Sequence, residues 1–190
     1  EDIKPIQAIC KEKGLRLHLD GARLFNVLVE TGESTLQYGK LFDTISICLS
    51  KGLGAPVGSC LIGSSELIAK ARKIRKVMGG GMRQAGFLAA AGIYALDHNI
   101  ARLKEDNDHA KQIGNCLSQL SYIKEVKPVK TNIVIFSVKP PMSSDDLIKV
   151  LAKNQIRAVT IGPGAIRFVT DLVFTEAMCD EVTRVLKELE

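Results

Sequence analysis

The segment that most constrains this chain is a lysine set directly after an apolar strand. Residues 44–49, Thr-Ile-Ser-Ile-Cys-Leu, are short, mostly apolar and partly β-branched, which reads as a strand buried in a sheet. Ser50-Lys51-Gly52-Leu53-Gly54-Ala55-Pro56-Val57-Gly58 follows as a glycine-rich turn, and residues 59–62 return as a third strand. Most lysines avoid such a place, because burying an ammonium is costly. Lys51 therefore has two readings. It is an amine of lowered pKa that acts as a nucleophile or Schiff-base former, or it is a strand-end lysine reaching solvent. Gly52 and Gly54 let backbone pass close to a flat ligand. The segment is not a Walker loop, since the lysine precedes the glycines.

The surrounding pattern is β/α. Residues 5–13 have helical spacing with a stop at Gly14. Residues 15–20 alternate strictly, with Leu15, Leu17 and Leu19 on one face and His18 and Asp20 on the other. A helix is expected over 22–30, a basic helix from Ser64-Ser65-Glu66 to about Met78, and a long helix over roughly 84–106. Beyond it the texture changes. Helix is expected over 110–120, extended chain over 124–129, strands over 132–138 and 166–170, a helix capped by Ser143 and its neighbours, and a closing amphipathic helix over 175–189. The expected class is α/β, with residues 1–108 contributing to a mostly parallel sheet and residues 109–190 forming a small α+β domain. The opening Glu1-Asp2-Ile3-Lys4-Pro5 resembles neither a signal nor a transit peptide and reads as the entry to a helix already inside a fold. The expectation is the later part of a longer protein.

Composition excludes several classes. Of 190 residues, 46% are hydrophobic and 25% charged, close to the soluble average, so a disordered or fibrous chain is excluded. No apolar run approaches the roughly 18 residues of a membrane span. The 26 basic and 21 acidic residues leave a net charge of +5. The densest basic cluster, residues 70–76, reads as a solvated helix face rather than a nucleic-acid patch, and no base-reading motif accompanies it. Five cysteines, none in a C-x-x-C pair, argue against a disulfide framework or zinc site and suit a reducing cytoplasm. Cys48 and Cys60 lie in apolar runs and read as inert core thiols.

Two more segments carry chemistry. Asp20 stands at the carboxyl end of a strand, followed by Gly21, where open α/β sheets bind ligands; alternatively it caps the next helix. Gly79-Gly80-Gly81-Met82-Arg83-Gln84-Ala85-Gly86 reads as three glycines opening a helix with Arg83 in its first turn, an arrangement suited to a phosphate or carboxylate, or as a flexible loop. Together, a carboxylate, a Schiff-base lysine and anion-binding arginines are the parts that a pyridoxal phosphate enzyme needs.

The motifs H-x-D-G-A-R, S-K-G-L-G-A-P-x-G-S and G-G-G-M-R-Q-A-G, in this order, with the late strand Ile166-Arg167-Phe168-Val169-Thr170, resemble the low-specificity threonine aldolases of the β-eliminating lyase group, fold type I. The resemblance implies a cofactor, pyridoxal 5'-phosphate, bound as a Schiff base on Lys51, with Asp20 paired to its pyridine nitrogen. It implies Arg83 on the phosphate, reaching a neighbouring subunit's site, and Lys76 near that boundary. It implies Arg23 near the substrate carboxylate or cofactor oxygens, and Arg167 on the substrate carboxylate. The implied reaction is retro-aldol cleavage of threonine or allo-threonine to glycine and an aldehyde. The implied assembly is a cytoplasmic homo-oligomer, a dimer of dimers with shared sites. Some members of the family hold a structural cation near the positions of Ser50 and Ala55, but no ligand cluster is visible in this sequence and no metal is expected, nor a nucleic-acid or membrane partner. The open alternatives are another lyase or racemase on this cofactor, and a non-catalytic fragment lacking the N-terminal half of the site. Asp171 stands where the family often has histidine. His98 and His109 read as structural; His18, on the strand face of Asp20, reads as structural or as a support to that carboxylate.

Overall fold

The computed structural model describes residues 3–190, so the opening Glu1-Asp2 pair lies outside the described residues. The chain is α/β and divides into two compact units, Glu1–Ala101 and Arg102–Glu190. The division falls ahead of the expected boundary at residue 108, because the expected long helix is two helices. Helix α5 (Gly86–His98) ends at Asn99, whose side-chain amide donates to the Leu53 carbonyl at 2.7 Å. Helix α6 (Leu103–Leu117) then belongs to the second unit.

The first unit holds α1 (Ile3–Glu12), β1 (His18–Asp20), α2 (Leu24–Thr31), α3 (Thr35–Gly39), β2 (Thr44–Cys48), β3 (Ser59–Gly63) and α4 (Ser65–Val77), followed by α5. Strand order is β1-β2-β3. Strands β1 and β2 are parallel, with Asp20 opposite Ser46, because the connection through α2 and α3 is long enough to cross over. Strand β3 returns antiparallel, since residues 49–58 are too few for a crossover. The sheet expected to be mostly parallel thus contributes one parallel and one antiparallel pair here. The alternation over 15–20 overstates the strand. Leu15 is exposed, and the Leu17 amide donates to the Asp43 carboxylate at 2.8 Å, because the partner strand begins only at Thr44. Only Ile45 and Ile47 of β2 are buried, and every residue of β3 is exposed. Cys60 therefore stands on an open edge strand rather than in a core, while Cys48 is half-buried.

The second unit is an antiparallel sheet in the order β4-β5-β7-β6 with three helices. Its strands are β4 (Ile123–Val126), β5 (Ile133–Val138), β6 (Val159–Thr160) and β7 (Ala165–Val169), joined by α7 (Ser144–Lys153) and closed by α8 (Glu176–Lys187). Even-numbered residues of β5 and β7 face the core, where Phe136 meets Phe168 edge to face at 5.0 Å and packs with Ile113, Leu147, Leu151 and Ile166. Ser143 and Asp146 form a capping box on α7, and Thr175 caps α8.

Candidate active site

Asp20 ends β1 and is solvent-exposed. Its Oδ1 accepts from the Ala22 amide at 3.2 Å, which makes a local turn. It does not cap α2, whose N-cap position is Arg23, itself half-buried. The next residue explains the placement. The Gly21 amide donates to the Ser46 carbonyl of β2 at 2.8 Å, and a Cβ on Gly21 would lie 2.8 Å from that same oxygen. Only glycine passes there, and the approach fixes the exit of Asp20 from the sheet.

Lys51 lies three residues past the end of β2, on a turn tied at several points. The Gly54 amide donates to the Lys51 carbonyl at 2.8 Å, with Gly54 at φ 76. Ala55 donates to Leu49 at 3.0 Å, and Leu49 donates to Gly58 at 2.9 Å. Leu53 is buried, and its carbonyl receives the Asn99 amide. The loop is fixed, yet the lysine itself is exposed and its amine makes no hydrogen bond or ion pair among the described residues. Of the two readings of Lys51, a buried amine or a strand-end lysine reaching solvent, its exposure matches the second, and the adjacent strand β3 is itself uncovered. Asn99, which anchors the turn from α5, carried no signal in the sequence. Because β1 and β2 run parallel, Asp20 and Lys51 stand at the same carboxyl edge of neighbouring strands.

Arg83 sits on a loop, not in the first turn of a helix: α5 begins at Gly86 behind Ala85, and Gln84 takes φ 52. A Cβ on Gly81 would meet Lys76 Cδ at 2.8 Å and one on Gly80 would meet Arg75 Cγ at 3.1 Å, so the glycines fold back along the basic end of α4. Arg83 is exposed. His18 shares a 2.8 Å hydrogen bond with Thr44 Oγ1 across the parallel pair, a structural contact. In the second unit, Arg167 stands on the sheet face opposite the core, with its Nε buried and lacking a hydrogen-bond partner. Asp171 is exposed and accepts from the Val173 amide at 3.2 Å. His109 hydrogen-bonds Glu176 at 3.0 Å and packs on Phe174, while His98 packs on Tyr94.

Asp20, Arg23 and Lys51 thus belong to one end of one sheet, Arg83 to a loop of the same unit, and Arg167 to the other unit. Two cavities of the first unit, about 410 and 380 Å3, open at the opposite, amino ends of β1 and β2 and hold none of these residues. Among the described residues no three His, Cys, Asp or Glu side chains cluster for a metal. The donor set, a free amine, a carboxylate on the neighbouring strand and several guanidiniums, fits an anionic pyridine aldehyde such as pyridoxal phosphate.

The β-eliminating lyase family model matches residues 1–140. The chain is 41% identical over 162 residues to the low-specificity L-threonine aldolase of Candida albicans, covering 85% of this chain and 43% of that protein. It is 52% identical over 110 residues to the low specificity L-threonine aldolase of Escherichia coli K12, covering 58% of this chain and 33% of that protein. The chain therefore spans less than half the length of these curated relatives. The threonine aldolase structure from Leishmania major superimposes with a TM-score of 0.82 at 26% identity, over 98% of this chain and 55% of that one. Ornithine aminotransferase from Toxoplasma gondii, at 18% identity and a TM-score of 0.69, shares the fold alone. With the family model matched across its first 140 residues, the chain belongs to the β-eliminating lyase family.

Proposed function

We propose that this chain carries the lysine-bearing part of a pyridoxal phosphate-dependent aldolase that splits threonine or allo-threonine into glycine and an aldehyde. The observation that carries the reading is Asp20 and Lys51 at one carboxyl edge of a parallel strand pair, each set by a tight glycine-dependent backbone contact. When bound, pyridoxal phosphate supplies the electron sink for the pair released as Cα–Cβ opens. Lys51 Nζ is the amine that attaches the cofactor. Asp20 holds a proton on the pyridine nitrogen by its negative charge, an effect fixed before reaction. Arg83 binds the phosphate, Arg23 lies near the carboxylate or cofactor oxygens, and Arg167 binds the substrate carboxylate.

In this reading the first unit, residues 1–101, belongs to the cofactor-binding large domain, and the second, residues 102–190, forms the small domain, in place of the boundary expected at residue 108. The assembly is a homo-oligomer, a dimer of dimers with shared sites. Exposed Val77, Met78 and Phe87 on either side of the Arg83 loop support an interface there. Five unpaired cysteines support a cytoplasmic location, and among the described residues no helix is long and apolar enough to cross a membrane. The test is product analysis of the cofactor-supplied protein with threonine. Glycine and acetaldehyde in equal amounts are expected. Pyruvate without glycine, or D-amino acid, would assign another lyase or a racemase.

A further inference from the structure

We infer that Thr170, together with Asn132, is a positioning residue that fixes the guanidinium of Arg167. The inference rests on the reading of Arg167 as the carboxylate-binding group. It starts from an asymmetry in the sheet. On one side β7 pairs with β5 along its whole length, from Ala165 opposite Ser137 to Val169 opposite Ile133. On the other side β6 offers only two residues, and the pairing stops at Val159 opposite Arg167. Arg167 is thus the last residue of β7 held from both sides, and Phe168–Thr170 continue as a one-sided edge. A one-sided strand end is where fraying begins.

Thr170 closes that end. Its amide donates to the Asn132 carbonyl at 3.1 Å, and its own carbonyl accepts from Asn132 Nδ2 at 2.7 Å. Its hydroxyl donates to the Asp106 carbonyl in the first turn of α6 at 2.6 Å. Asp106 is itself held by Arg102, with Nη2 to Oδ1 at 2.6 Å and Nη1 to Oδ2 at 3.4 Å. Thr170, Asn132 and Asp106 are all buried. The hydroxyl bond adds little to helix integrity, because Asp106 lies in the first turn of α6, where a carbonyl already accepts from a backbone amide one turn on. Its distinct effect is to tie the free end of β7 to α6. Arg167, three residues upstream on the opposite face, keeps a buried Nε with no hydrogen-bond partner and makes no ion pair among the described residues, so its guanidinium is oriented by the strand rather than by a salt bridge.

The test compares Thr170→Val, Thr170→Ser and Arg167→Lys in the pyridoxal phosphate-loaded protein. It also follows the Arg167 Nε–H resonance and amide exchange in isotope-labelled protein without substrate. Thr170→Val is expected to raise KM for threonine about tenfold with kcat within about twofold, and Thr170→Ser to restore KM. Thr170→Val, and not Thr170→Ser, should shift or broaden the Nε–H signal and speed exchange at Phe168–Thr170, leaving Val134 and Phe136 protected. An unchanged Nε–H signal in Thr170→Val overturns the inference. So does protection lost equally at Val134 and Phe136, which marks a general loss of stability. If Arg167→Lys leaves KM unchanged, the carboxylate reading fails instead, and the resonance still decides whether Thr170 positions Arg167.

Discussion

The second unit encloses Phe136, Leu147, Leu151 and Ile166 completely, whereas in the first unit no residue of β3 or α4 is buried. The proposed chemistry divides the other way. Lys51, Asp20, Arg23 and Arg83 lie in the unit with the thin core, and only Arg167 lies in the unit with the closed one. In the first unit, order at the site comes from backbone contacts: Gly21 against Ser46, and the hydrogen-bonded turn around Lys51. In the second, order comes from side chains packed between sheet and helices. Position at a site and bulk stability therefore have different physical sources in this chain, and substitutions should separate them.

The largest effect is expected from Lys51→Ala. It should lower threonine cleavage by about a thousandfold or more, since it removes the attaching amine. The thermal midpoint should not change, because the side chain is exposed and makes no hydrogen bond or ion pair among the described residues. A drop in melting temperature would show that the two properties are not separate. Phe136→Ala tests the converse. Deleting a fully enclosed aromatic should cost about 3–5 kcal/mol, read by denaturant unfolding of the second unit. Gly21→Ala tests the backbone contact. A Cβ 2.8 Å from the Ser46 carbonyl forces β1 and β2 apart at about 1–3 kcal/mol, and cofactor uptake measured by visible absorbance should weaken with it.

The smallest effect concerns acid, and its sign differs between the units. The Leu17 amide and the Arg16 guanidinium hold the Asp43 carboxyl below its ordinary range. Its contribution is present above the unfolded value of about 3.9 and is lost as pH falls through the folded one. Burial pushes Asp106 up, against the opposing pull of Arg102. Its contribution is full below the unfolded value and lost as pH rises through the raised one. Amide exchange followed between pH 6 and pH 3 should therefore loosen residues around β1 first, and Asp43→Asn should flatten that response.

Much of this was legible in the sequence. The apolar run at 44–49, the Ser143–Asp146 cap and the amphipathic 175–189 segment each became the expected element, because local pattern and tertiary burial agree there. The break at residues 99–102 was not legible. No glycine or proline marks it, and the helix stops where Asn99 reaches across to Leu53. Helix α3 was not expected from the sequence: it has only five residues, too short for a helical period, and the structure shows it held by a capping box of Ser34 and Gln37. Strand β6 has two residues, too few to leave a pattern. At the site, residue types and order were readable from the motifs. The exposure of Lys51 and the loop position of Arg83 were each one of two open readings, undecided because they depend on what covers β3 and on where α5 begins.

The most direct test of the central assignment is reductive trapping. The protein is supplied with pyridoxal phosphate, reduced with borohydride, digested and mapped by mass spectrometry. A single pyridoxyl group on Lys51, absent from Lys51→Ala, is the predicted result; the label on another lysine, such as Lys76 beside the glycine loop, would contradict it.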